Sequence, residues 1–136
     1  MKQGLLWRKL LTLEAILRLC LMSLALRCLP VRYLLPSEGV DTPPGNSADA
    51  AAARAVRGAI RSAIVRLPFT MTCLAQSLAA ARMLVRRRVP HRIHIGATME
   101  RGFQAHAWVE AAGLIIAGEG ETERYKVLLT RGSAEP

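Results

Sequence analysis

The stretch Leu84-Val85-Arg86-Arg87-Arg88-Val89-Pro90-His91-Arg92-Ile93-His94-Ile95 decides the fold class, because the hydrophobic period changes within it. After Pro90, Ile93 and Ile95 alternate with Arg92 and His94, so His91 to Thr98 reads as a strand. Gln104 to Ala111 is a second strand, with His106, Trp108 and Glu110 on one face and Ala105, Ala107 and Val109 on the other. Ala112-Gly113 is a turn, and Leu114 to Ala117 and Tyr125 to Thr130 supply two more strands. Before Pro90 the period is helical. Phe69 to Arg88 reads as one helix, with Thr70 and Thr72 as capable N-caps and arginines at the end that suits the helix dipole. Helices first and strands after predict an α+β fold with an antiparallel sheet, not a doubly wound parallel one.

Upstream, Ser47 or Asp49 begins a helix whose apolar stripe is Val56, Ile60, Ala63, Ile64 and Leu67, stopped by Pro68. Ser37 to Ser47, with Pro43-Pro44-Gly45, is a loop. Met1 to Leu35 is leucine-rich, but Arg8, Lys9, Glu14, Arg18 and Arg27 interrupt it. The longest charge-free apolar stretch, Leu19 to Leu26, is far short of the roughly 20 residues that span a bilayer, so no transmembrane span is expected. Leu6, Leu10, Leu13, Leu17, Cys20 and Leu24 share one helical face, read as core packing, with partner docking or membrane contact as the other readings. The expected organisation is a helical segment over 1–36, a loop over 37–47 and a core over 48–136.

The 136 residues, 51% of them apolar, suit a single globular core. A formal charge of +9 attracts an anionic partner without choosing its kind. With 4% aromatics and no interleaving of bases and aromatics, stacking on nucleic acid is not expected. Three cysteines without a C-x-x-C pair suggest neither a disulfide framework nor a zinc site, which fits a cytoplasmic protein. No Walker-type loop is present, and no cofactor or metal is expected.

Cys73 falls in the first turn of the third helix. There the unpaired backbone N–H groups and the positive end of the dipole favour a thiolate. A cysteine nucleophile needs a base. His91 and His94 are three apart in a strand, on opposite faces, which makes a shared metal improbable. His106 lies mid-strand between small residues that would let a helix approach its face, and it pairs with Cys73 if that helix packs there. If Ala112-Gly113 form a two-residue hairpin loop, Glu119 lies directly across from His106 as the orienting acid, with Glu121 diagonal. A three-residue loop would put Gly118 there.

The set Cys73-Leu74-x-x-Ser77-Leu78-Ala79, the Leu84 to Arg88 helix end, Ile93-His94-Ile95-Gly96, Phe103-x-Ala105-His106-Ala107-Trp108-Val109-Glu110 and Gly113 resembles the transglutaminase-like peptidase of lasso peptide gene clusters, the B protein, in its short stand-alone form. The resemblance covers about Phe69 to Ala117. It implies a papain- or transglutaminase-like core and removal of the leader from a ribosomally made precursor. A separate winged-helix protein would present the leader, and a separate cyclase would close the macrolactam. Cys73 matches the nucleophile and His106 the base. The family's acid position falls on Gly118, next to Glu119, and Gln76 stands where many relatives carry arginine. Two other function classes remain: a basic, noncatalytic module that binds peptide or nucleic acid, and an acyl-transferring transglutaminase.

Overall fold

The computed structural model describes residues 2–35, 46–120 and 122–133. In chain order these form α1 (Lys2–Cys28), a 3-10 turn (Val31–Tyr33), α2 (Ser47–Arg66), α3 (Cys73–Arg86), β1 (His91–Thr98), β2 (Gln104–Ala111), β3 (Leu114–Ala117), a second 3-10 turn (Thr122–Arg124) and β4 (Lys126–Ser133). The strands make one antiparallel sheet in the order β3-β2-β1-β4. The expected α+β segregation is what forms. Most of the loop expected between α1 and α2 lies outside the described residues.

α3 is the central element, packed against α1, α2 and the first three strands. Its Ala79, Ala80 and Ala81, all buried, keep its surface low enough for neighbours to approach closely. Thr72 caps it by accepting a hydrogen bond from the Ala75 N–H at 3.1 Å. α2 begins with a reciprocal capping box between Asn46 and Asp49. It buries Val56, Ile60 and Ala63 as the stripe requires.

α1 departs from the sequence reading. The face placed in the core, Leu6, Leu10, Leu13, Leu17 and Leu24, is exposed, and Cys20 is half-buried. The buried line is Leu11, Ala15 and Leu19. This helix has leucine all round, so periodicity leaves two apolar faces to choose between. The line centred on small Ala15 lets α1 lie close to its neighbours. α1 is also tied to α3 by the Glu14 carboxylate, which accepts from Arg87 at 2.6 and 3.1 Å and lies near Arg86. The Arg87 hydrogen bonds hold the Glu14 carboxyl below its ordinary pKa. Its side chain is only 14% exposed, so Glu14→Gln should cost about 1.5–3 kcal/mol in urea unfolding at neutral pH.

The helices cover the sheet face that carries Ile93, Val109 and Ala111. His91 belongs to this face and is buried, donating from Nδ1 to the Val89 carbonyl at 3.0 Å, while its Nε2 has no partner. Burial lowers its pKa from 6.5, outweighing the hydrogen bond to Val89. The folded chain therefore takes up this proton at lower pH than the unfolded chain. His91's contribution is complete above about pH 6.5 and declines as pH falls below it. The melting temperature should drop between pH 7 and 5, and less steeply in His91→Leu.

Candidate active site

Cys73 is the first residue of α3 and is half-buried; Cys20 and Cys28, both on α1, are also free thiols. One turn further on, the Gln76 side chain donates to the Met71 carbonyl at 3.1 Å, holding the entry segment against the first turn. Gln76 also lines a cavity with Ile60, Arg61, Ile64, Ile116, Ala117, Gly118 and Glu119. This cavity lies between α2, Gln76 of α3 and the end of β3, and neither Cys73 nor His106 lines it.

His106, on β2, is half-buried. Its register partner on β1 is Gly96, and the neighbouring pair is Trp108 with His94. These residues belong to the alternation opposite Val109 and Ala111, so the helix layer does not cover the His106 face in the way the sequence reading supposed. Instead the face is covered by its own rings. His94 stacks on Trp108 at 5.3 Å, Trp108 on His106 at 5.8 Å, and Tyr125 leans on His106 at 5.1 Å. Trp108 is thereby buried although it lies outside the main core. Gly96 permits this crowding, since a Cβ there would lie 2.9 Å from Tyr125 Cβ and 3.2 Å from the Trp108 ring. His94 hydrogen-bonds Thr130 at 3.0 Å and has Glu110 at 3.4 Å.

The hairpin behaves as expected only for its first pairs. Ala111 faces Leu114 and Glu110 faces Ile115 across a turn in which Ala112 and Gly113 both take positive φ, as a two-residue loop of this kind requires. A bulge then shifts the register so that Val109 faces Ala117. β3 ends there, and Gly118, at φ +74°, turns its carbonyl onto the His106 ring with Nε2···O 2.6 Å. A carbonyl only accepts, so Nε2 carries the proton and Nδ1 is left with its lone pair.

Glu119 is consequently not across from His106. It reaches the other way, to Arg57 Nε at 3.1 Å and to Arg61 on α2. The hydrogen bond from Arg61, then that from Arg57, holds its carboxyl below the ordinary range. Glu121 lies outside the described residues. The structure thus brings His106 together with Gly118, Trp108 and Tyr125. Cys73 opens the helix that packs on β2, and no hydrogen bond joins it to His106 among the described residues. Sequence reasoning missed the Gly118 carbonyl, because a backbone acceptor leaves no side-chain signature. The pair Gly118 and Gly120, which lets the chain run close to the ring, was the available sign. Among the described residues no cluster of His, Cys, Asp and Glu could hold a metal ion.

No curated protein and no solved structure gives a significant match to the chain. Residues 16–130 match the family model of the transglutaminase-like superfamily, which includes cysteine peptidases and transglutaminases. Three helices followed by a four-stranded antiparallel sheet fit the papain-like α+β core of that group. With the family match running from within α1 to within β4, the chain belongs to the transglutaminase-like superfamily.

Proposed function

We propose that this chain is a cysteine peptidase that removes the leader from a ribosomally synthesised lasso precursor and supplies the core peptide to a separate macrolactam-forming cyclase. Cys73 is the nucleophile and His106 the base. The observation that carries the reading is the double role of Gly118. Its carbonyl fixes the tautomer of His106, and it also lines a cavity with Gln76, which lies three residues along α3 from Cys73; the reaction requires Cys73 to close on His106. That tautomer leaves Nδ1 free to take the thiol proton, with the backbone carbonyl doing the orienting work of the family's acid.

In this mechanism the Cys73 thiolate attacks the carbonyl at the leader–core junction. Backbone N–H groups at the start of α3, which have no partners inside the helix, stabilise the oxyanion. The His106 imidazolium protonates the departing amine of the core, and water then hydrolyses the leader thioester. A winged-helix recognition protein presents the leader, as the lasso resemblance implies. The test is to combine the chain with that recognition protein and a precursor, with and without an added primary amine. Mass spectrometry should find free leader and free core. A leader carrying the amine would instead identify an acyl-transferring transglutaminase, and an intact precursor would leave a noncatalytic binding module.

A further inference from the structure

We propose that the outward face of α1 is a docking surface for an anionic lipid membrane, on which the helix lies in the plane of the headgroups. Leu6, Leu10, Leu13, Leu17, Leu21 and Leu24 form a continuous ridge, each between 45% and 60% exposed. At 1.5 Å per residue the ridge is about 27 Å long. Trp7, 53% exposed, stands at its amino-terminal end, where an amphipathic ring suits a headgroup boundary. α1 is not long and apolar enough to cross a bilayer. Lying along the surface is the arrangement that buries this ridge without burying the opposite, core-packed side of the helix.

Charge selects the occupant. At 100° per residue, exposed Lys2, Lys9 and Arg27 fall along one border of the ridge. α1 carries five cations and one acid, and that acid, Glu14, is held by Arg86 and Arg87 of α3. A second copy of the chain packed ridge to ridge would set these cationic borders against each other when antiparallel, or leave each without a counter-charge when parallel, with no free carboxylate on either helix. An anionic headgroup layer neutralises them while the leucines enter the acyl boundary.

The full chain should co-sediment with vesicles rich in phosphatidylglycerol and bind phosphatidylcholine vesicles at least about tenfold more weakly, a difference that salt reduces. Trp7 emission should shift to the blue on binding, and Trp7→Phe should remove the shift, because Trp108 is already buried. Leu13→Glu with Leu17→Glu should abolish binding, and Lys9→Glu with Arg27→Glu should weaken it about tenfold or more, with unchanged circular dichroism. These positions are exposed, so folding is preserved. Equal binding to both vesicle types, or unaltered binding by the leucine variant, would overturn the proposal. So would a wild-type chain that ignores both vesicles, whether sedimentation velocity finds it monomeric or self-associated.

Discussion

Gly118→Ala is expected to destabilise the chain by on the order of 3 kcal/mol and to remove most of the peptidase activity proposed for it. Two effects combine at this position. Its φ of +74° is one that side chains with a Cβ rarely adopt. The added Cβ would also overlap the Ala107 carbonyl oxygen and come within 2.8 Å of Trp108 Cα, both backbone atoms that cannot swing away. Relief requires the segment after β3 to lift off β2, which withdraws the carbonyl from His106. Gly113 is the internal control. Its φ is +76° but nothing lies within 4 Å of the added Cβ, so Gly113→Ala should cost only about 1 kcal/mol. Gly118→Asp, which supplies an acid at the position where the lasso peptidase resemblance implies one, should fail like the alanine variant. Urea unfolding of the three variants checks the ranking, and the ring ¹⁵N shifts of His106 report whether Nε2 keeps its proton.

The second large effect is on chemistry. His106→Gln should lower the rate of precursor cleavage by about 10²–10⁴-fold, the usual worth of a positioned general base. Glutamine keeps a polar donor for the Gly118 carbonyl and much of the volume between Trp108 and Tyr125, so a folded but inactive protein is the expected outcome. His106→Ala should be equally inactive and also less stable, since it strips one ring from the stack that buries Trp108. Glu119→Gln separates the two candidate orienting groups. Its carboxylate is engaged with Arg57 and Arg61, so cleavage should stay within a few-fold of wild type. A loss comparable with that of His106→Gln would return the orienting role to Glu119.

Where local chemistry was decisive, the sequence could be read to the residue. His91–Thr98, Gln104–Ala111 and Leu114–Ala117 form at the expected bounds, because alternation and an Ala-Gly turn leave little choice of register at their start. Thr72 caps α3 and leaves Cys73 in its first turn as read. The failures have physical causes. In α1 the leucines satisfy two faces, and only tertiary packing selects the one with Ala15. In the hairpin, a single bulge after Glu110 moves every later pairing by one residue, and no side-chain pattern announces it. That slip moved Glu119 from His106 to the arginines of α2. β4 begins after Tyr125 and runs on to Ser133, beyond the expected Thr130, because β1 offers its whole length as a partner.

The most direct test of the central claim is to follow precursor cleavage by mass spectrometry, with the recognition protein present, in wild type, Cys73→Ala, and a Cys20→Ser/Cys28→Ser chain. Wild type and the double variant should both release leader and core, and Cys73→Ala should release neither while melting at a similar temperature. Cleavage by Cys73→Ala at the wild-type rate would contradict the assignment of Cys73 as the nucleophile.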